Sequence, residues 1–482
     1  MVDFRPIGYV IGLLVAALGI SMLIPMFVDL AQDNDHAGTF LEVALITLLI
    51  GGLMALASSN SVAGGMNLQQ IFLLTTGVWV VLPFFGALPF MWGDLGAGFT
   101  DAYFEAMSGL TTTGSTVFSG LDALPSGLLV WRSMLQWFGG IGIIVVAMAF
   151  LPELRVGGMQ IFRSEGFDTD GKVLPRAAEI ASRISIIYLV LTFACAVAYM
   201  VAGMPLFEAA NHAMTTIATG GFSTRDQSFG SFRGAPEYVA VVFMILASLP
   251  FVRYVQILAG SSKPLLRDTQ VRAFLAALCT IVALVAIHRL LVQGSAVHAA
   301  LREALFNITS IMTGTGYAST NYQLWGAFPV TVFFLVGLIG GCAGSTSCSV
   351  KVFRYQILLK AVANQIRRIQ SPHGVYQLKY AGRRLSEDVL SSVMVFLTMF
   401  LVTLGVVSVL LSATGLDLVT SVSGAATAIA NVGPGLGTMI GPEGNFAGLS
   451  GVAKWILLSA MLVGRLELLV VFVLFTSRFW RA

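Results

Sequence analysis

Charge is scarce in this sequence: Asp, Glu, Lys and Arg make up 11 % of its 482 residues, against roughly a quarter in soluble domains. With 56 % hydrophobic residues and a mean hydropathy of +0.85, a water-soluble globule would have to expose apolar patches far larger than soluble monomers carry. A soluble enzyme, a disordered chain and a coiled coil are therefore excluded. Cysteine and histidine are also few, four and five residues. Cys195, Cys279, Cys342 and Cys348 sit in apolar or Gly/Ser-rich stretches without metal-ligand spacing, so buried packing is expected, with no disulfide framework and no zinc site. His36, His288, His298 and His373 form no constellation, and His212 reads as a satisfied structural histidine before a proton relay. No H-E-x-x-H, P-loop or G-x-S-x-G string occurs, so neither catalysis nor an organic cofactor is expected in this chain. The net charge of +3 is small, and no nucleic-acid partner is expected.

What the sequence does have is long apolar runs. A bilayer core about 30 Å thick needs about 20 apolar residues per helix, and ten runs approach that length: 8–28, 41–58, 71–91, 127–151, 184–203, 237–258, 274–291, 327–350, 389–411 and 451–475. The expected fold class is an all-α polytopic membrane protein. Alternating the loops from an inside N-terminus puts 19 of the 27 Lys and Arg residues on one side, in Arg5, 152–183, 259–273, 351–388, Arg478 and Arg481. The opposite loops hold Arg225, Arg233 and Arg302. By the positive-inside rule both termini are cytoplasmic. The segment 351–384 is basic enough to contact an acidic partner or lipid head groups as well as to set orientation.

Four outer connections are too long to be simple turns. They contain DAYFEAMSGLTTTG (101–114), EAANHAMTTIATGG (208–221), EALFNITSIMTGTG (303–316) and TSVSGAATAIANVG (420–433), separated by 107, 95 and 117 residues. Recurrence at this scale, each time between two spans, indicates a fourfold internal duplication. About 12 helical residues cover about 18 Å, half of the hydrocarbon, so these segments are expected to be re-entrant helices. The irregular strand after each must then be buried in protein or line a watery cavity. Four strands around one axis, each with a glycine free to take a positive φ, would make a ring of backbone carbonyls. Such a ring replaces the hydration shell of a monovalent cation and favours an ion of potassium size. The helix C-termini aimed at it add negative potential.

Acidic residues gather instead around the expected outer mouth: Asp29, Asp33, Asp35, Asp94, Asp101, Glu105, Asp122, Glu208, Asp226, Glu303, Asp417 and Glu443. Such an excess concentrates cations by its field. Asp101, Glu208 and Glu303 also suit first-turn capping of the re-entrant helices, and the two roles are compatible.

At TTTGS (111–115), ATGGF (218–222), GTGY (314–317), NVGPGLG (431–437), GGCAGSTS (340–347) and GRLE (464–467), the chain resembles the membrane subunit of bacterial Trk potassium uptake systems, in the Trk/Ktr/HKT superfamily. The likeness covers nearly the whole chain. It implies four helix–pore helix–helix repeats around one pore, giving ten spans and four re-entrant segments. The expected division is 1–65 for an N-terminal helix pair and 66–165, 166–262, 263–384 and 385–482 for the repeats. The filter carries over to Thr112, Thr113 and Gly114; Thr219, Gly220 and Gly221; Gly314, Thr315 and Gly316; and Asn431, Val432 and Gly433. The resemblance further implies transported K+, a homodimer in the bacterial inner membrane, and a cytosolic, TrkA-like partner of Rossmann type that senses NAD or ATP. Plant relatives with serine in the first filter transport sodium; Gly114 here favours potassium. The chain departs from the family pattern at TGTGY and at GSTSCS.

A helix spanning 327 to about 359 would be near 50 Å long, but Gly340–Ser349 interrupts it. The interruption, with Gly340, Gly341, Gly344, Ser345, Thr346 and Ser347, reads as a gate beneath the third filter strand or as a packing kink of small residues. Arg465 lies about 14 residues into the tenth run, where a charge is costly. It reads as a pore barrier or a loop anchor, its donors taken by Glu467, by the broken segment's carbonyls, or by both. Arg253 ranks below it, as a snorkelling side chain. The leading function is gated potassium uptake; a potassium symporter coupled to protons or sodium is the alternative.

Overall fold

The computed structural model describes residues 3–61, 66–93, 95–147, 157–159, 173–258, 260–374 and 376–481. Most of the basic segment 152–183, and Asp94, lie outside the described residues. The described residues are mostly helical, and a short hairpin pairs Lys379–Tyr380 with Arg383–Arg384.

An N-terminal pair comes first: α1 (Arg5–Ser21), continued by α2 (Leu23–Leu30), packs antiparallel to α3 (His36–Ala57). Small residues allow this closeness, since a Cβ on Gly12 would lie 2.6 Å from the Ala55 nitrogen and one on Gly19 would lie 2.8 Å from that of Leu48. α4 (Leu68–Met91) opens with a capping box in which the Asn67 side chain accepts from the Gln70 N–H and the Gln70 side chain from that of Asn67.

Four half-length helices form the centre: α5 (Phe99–Leu110), α8 (Leu206–Ile217), α13 (Val297–Met312) and α17 (Leu418–Ala430). Around them stand α6 (Ser126–Val145), α7 (Val173–Val201), α9 (Ala235–Ala247) with α10 (Phe251–Leu258), α12 (Thr269–Gln293, preceded by the one-turn α11, Lys263–Arg267), α14 (Ala327–Gly337), α16 (Glu387–Ser412) and α18 (Gly451–Arg465). α15 (Val352–Gln370), α19 (Leu469–Leu474) and α20 (Ser477–Arg481) complete the described helices. Burial runs from centre to rim. Every residue of α5 from Ala102 to Leu110 is buried, whereas only 22 % of the most apolar window of α16 is. Lipid can solvate an apolar helix but cannot satisfy free backbone groups, so the complete helices face outward and the broken backbone is enclosed.

Among the described residues, seven helices are continuous and apolar enough to cross a membrane. The other expected spans are interrupted. The run 237–258 bends by 88° between α9 and α10, at Ser248-Leu249-Pro250, where proline lacks a donor and disfavours helix in its predecessor. The run 327–350 ends at Gly337, and helix resumes at Val352. The tenth run, expected to be unbroken, stops at Arg465 and restarts at Leu469, with positive φ at Glu467 (61°) and Leu468 (52°). The cysteine expectation also needs a correction: Cys195, Cys342 and Cys348 are buried, but Cys279 is exposed on α12.

Candidate functional site

Each half-length helix ends in the same way. The N–H groups of Thr113, Gly220, Thr315 and Val432 turn back onto the carbonyls of Ser108, Thr215, Ser310 and Thr427, at 2.9, 2.9, 2.9 and 3.0 Å. Donors and acceptors both recur at 107, 95 and 117 residues. Backbone conformation recurs with them. φ is positive at Thr112 (51°), Thr219 (50°), Gly314 (76°) and Asn431 (51°), and again two residues on at Gly114 (82°), Gly221 (79°), Gly316 (86°) and Gly433 (104°).

The four strands close into a ring. A Cβ on Gly114 would strike the Gly220 carbonyl, one on Gly221 the Thr315 carbonyl, and one on Gly316 the Val432 carbonyl; one on Gly433 would lie 2.8 Å from the Thr113 oxygen. The oxygens of Thr113, Gly220, Thr315 and Val432 thus occupy equivalent positions between successive strands, in the order one, two, three, four, one. Any side chain at Gly114, Gly221, Gly316 or Gly433 would enter these boundaries, and the positive φ there is one that L residues rarely adopt.

Above the ring lies a cavity of about 280 Å³, whose lining includes Gly114, Gly221, Gly316 and Gly433 together with Arg132, Asp226 and Glu443. Its wall is braced by a buried ion pair, Arg132 Nε to Glu105 at 2.8 Å. Glu105 also accepts from the Val117 N–H at 2.9 Å and from the Thr116 hydroxyl. Arg132 donates to the Ser223 carbonyl at 2.8 Å and stacks 4.2 Å from the Phe222 ring, so one guanidinium joins the first strand's exit to the second's.

Beneath the ring lies the interrupted segment, with residues 340–348 buried. Its groups are paired one by one. Gly340 N–H donates to Val350 O (2.9 Å), Gly341 N–H to Ser347 Oγ (2.8 Å) and Ala343 N–H to Gln270 Oε1 (3.0 Å). The bend at 248–250 meets the segment here. Ser248 O accepts from Cys342 N–H at 3.0 Å, Ala247 O accepts from the Thr346 hydroxyl at 3.0 Å, and Phe251 N–H donates to Gly344 O at 2.9 Å. Ser345 Oγ donates to Cys342 O, and Lys351 Nζ donates to the Ser347 carbonyl. Two broken helices therefore satisfy each other's freed backbone. The segment also touches the strands: Cys348 Sγ lies 3.4 Å from Thr112 Oγ1, and Ser349 N–H donates to Ala430 O at 2.9 Å.

Arg465 joins this floor. Its Nη1 donates to Cys348 Sγ at 2.8 Å and its Nη2 to Gly139 O at 3.1 Å, with the Trp79 ring 5.3 Å away. Neither Glu467 nor a carbonyl of the broken segment takes those donors; Glu467 pairs with Arg354, which is fully buried and also donates to Gly157 O at 3.0 Å. Arg253 does not snorkel. It pairs with Asp268 at 2.8 Å.

The three carboxylates expected at the mouth are spent in ion pairs. Asp101 is 2.6 Å from Lys454, Glu208 is 2.7 Å from Arg225, and Glu303 is 2.7 Å from Arg289. Asp101 and Glu208 do sit in first turns. Glu303 does not, because α13 begins at Val297. In the fourth helix the cap is Asp417, which accepts from Thr420 N–H at 3.1 Å. Asp29 and Glu105 are fully buried, so neither belongs to an exposed acidic rim. His212 is satisfied at both ring nitrogens, by Glu208 O at 2.8 Å and Ser223 Oγ at 2.9 Å.

Gln136, whose amide holds the Gly220 carbonyl and the Phe222 N–H, and Arg132, Cys348 and Arg354 are not legible from the sequence as parts of the site. Arg132 carried a usable signal, a charge inside an apolar run; a lone glutamine or cysteine carries none.

Among the described residues, seven membrane-length helices around four half-length ones define a polytopic membrane protein. A profile of the TrkH cation transport protein family matches residues 38–481, and the chain belongs to that family. It is 41 % identical over 481 residues to the Trk system potassium uptake protein TrkI of Halomonas elongata, covering 99 % of this chain and 97 % of the relative. It is 38 % identical to TrkH of Salmonella typhimurium, covering 99 % of both. The crystal structure of the potassium transporter TrkH from Vibrio parahaemolyticus matches with a TM-score of 0.91 at 35 % identity, over 100 % of both chains.

Proposed function

We propose that this protein takes up K+ through a gated, potassium-selective pore whose filter is the ring of Thr112–Gly114, Thr219–Gly221, Gly314–Gly316 and Asn431–Gly433. The single observation that carries the reading is the closed cycle of glycine-to-carbonyl contacts among the four strands, open above to one cavity. Positive φ alternates with negative along each strand, which turns successive carbonyls to one side, as ion coordination requires. The four units 66–165, 166–262, 263–384 and 385–482 each contribute one strand, and 1–65 packs outside them. Relatives named as potassium uptake proteins agree with the choice of ion.

Gly340–Ser347 and Arg465 form the closed gate, a packed floor that carries a positive charge. α15 leaves this floor with Lys360, Arg367 and Arg368 exposed, a basic lever for a cytosolic nucleotide-binding partner. Both termini face the cytoplasm of a bacterial inner membrane, and the protein works there as a homodimer. With their charges paired, Asp101, Glu208 and Glu303 shape the mouth and contribute little net field.

The test is reconstitution. In liposomes, Rb+ uptake should be blocked by excess external K+ and hardly by Na+, and a pH gradient should leave the reversal potential at the K+ equilibrium value. Equal competition by Na+ would remove the selectivity, and a proton-dependent reversal potential would replace the pore with a symporter.

A further inference from the structure

The four strands are alike in backbone but not in support. At the residue before the last glycine of each strand, strands one and three carry threonines held by a neighbouring hydroxyl: Thr111 to Thr113 at 2.7 Å and Thr313 to Thr315 at 2.8 Å. Strand four has Val432 there, and strand two has Gly220, with no side chain at all. φ at Gly220 is not positive, so backbone conformation does not demand glycine. Space does. The three atoms nearest to a Cβ built on Gly220 all belong to the Gln136 amide.

Gln136 projects from α6 and is fully buried. Its Nε2 donates to the Gly220 carbonyl at 2.6 Å, and its Oε1 accepts from the Phe222 N–H at 3.0 Å. One planar amide thus grips strand two on both sides of Gly221. The oxygen it holds belongs to the equivalent set formed by Thr113, Gly220, Thr315 and Val432. A carbonyl that already accepts a short hydrogen bond is fixed in direction, and it cannot swing toward a smaller ion. Size discrimination between K+ and Na+ depends on the number and field of the oxygens and on their freedom to collapse inward.

We propose that Gln136 is a positioning residue that sets ion specificity, replacing from outside the strand the side-chain brace that strand two lacks, and that it is the reason residue 220 is glycine. The inference rests on the filter reading above.

The experiment is a cycle of variants reconstituted in liposomes, read as the K+/Na+ permeability ratio from bi-ionic reversal potentials. Gln136→Ala should lower the ratio about fivefold, the value of one net hydrogen bond of about 1 kcal/mol. Gln136→Glu keeps the acceptor for Phe222 but places oxygen against oxygen at Gly220, and should lower the ratio at least as far. Gly220→Thr alone collides with Gln136 and should abolish flux. In a Gln136→Ala background it restores the threonine found in strands one and three, and should recover most of the ratio. Should Gln136→Ala not assemble, Gln136→Glu and the double variant still decide the matter. A purely structural role would lower both fluxes together and leave the ratio unchanged in every variant that conducts, and that result overturns the proposal. Loss of selectivity in the unmodified protein would instead overturn the filter reading itself.

Discussion

Arg465 Nη1 lies 2.8 Å from Cys348 Sγ, which ties the charged end of α18 to the tip of the segment beneath the ring. Thr112 Oγ1 reaches the same sulfur at 3.4 Å. One atom therefore links the buried segment, the charge of Arg465 and the first strand of the ring. In the proposed gate, opening must separate Arg465 from Cys348 or carry both aside, because a fixed cation on the proposed path opposes K+ directly.

Replacing that charge while keeping the polar length should lower the barrier. Arg465→Gln is expected to raise Rb+ flux through the partner-free protein at least tenfold, since two unit charges even about 8 Å apart repel by about 2 kcal/mol at an effective protein dielectric of about 20. Tracer uptake into liposomes checks this; a lower flux at equal protein density would make Arg465 a strut and not a barrier.

The floor is held by bonds that can be removed singly. Thr346→Val deletes the hydroxyl donor to Ala247 O but leaves the backbone framework intact. A hydrogen bond contributes about 1 kcal/mol net, so basal flux should rise several-fold with K+ over Na+ preference unchanged. If flux stays the same, the bend at 248–250 does not restrain the loop.

Gly114→Ser asks the backbone to hold φ 82° with a Cβ against the Gly220 carbonyl. A left-handed conformation costs an ordinary residue about 1–2 kcal/mol, before the collision is counted. The ring should widen at that boundary and the K+/Na+ permeability ratio should fall. An unaltered ratio would show that Gly114 does not face the ion.

Glu105 and Arg132 test the outer brace through stability. Arg132→Met strands a buried carboxylate, and breaking such a pair costs about 3–5 kcal/mol. The unfolding temperature in detergent should drop clearly. Adding Glu105→Gln should recover much of it, since a neutral amide oxygen still accepts from the Val117 N–H. A double variant no better than the single would mean that shape, not charge, holds the wall.

The parts legible in the sequence are those that repeat or that physics forbids elsewhere. Four half-length helices, each followed by a strand with a glycine, were visible because about 12 helical residues cannot cross hydrocarbon and because the spacing recurs; the third is longer than read, 16 residues from Val297 to Met312. The break at 340–349 was visible because one continuous helix would be too long. Other features left no pattern. Glu467 and Leu468 take positive φ in a stretch that reads as uninterrupted helix, since neither is glycine and both are good helix formers. The run 237–258 likewise reads as one span, and its 88° bend is stable only because the neighbouring loop uses the freed carbonyls of Ala247 and Ser248. The ion pairs of the carboxylates left no pattern for a related reason. Their partners Lys454, Arg225 and Arg289 are 353, 17 and 14 residues away in the chain, and the two near ones looked like loop or span-end charges.

The central claim, that main-chain oxygens of the four strands coordinate the ion, is tested most directly by anomalous diffraction from crystals soaked in Rb+. The account predicts anomalous peaks on the axis between strands 112–114, 219–221, 314–316 and 431–433, lost on exchange into Na+. Peaks confined to the acidic side chains of the outer cavity, with none inside the ring, would contradict it.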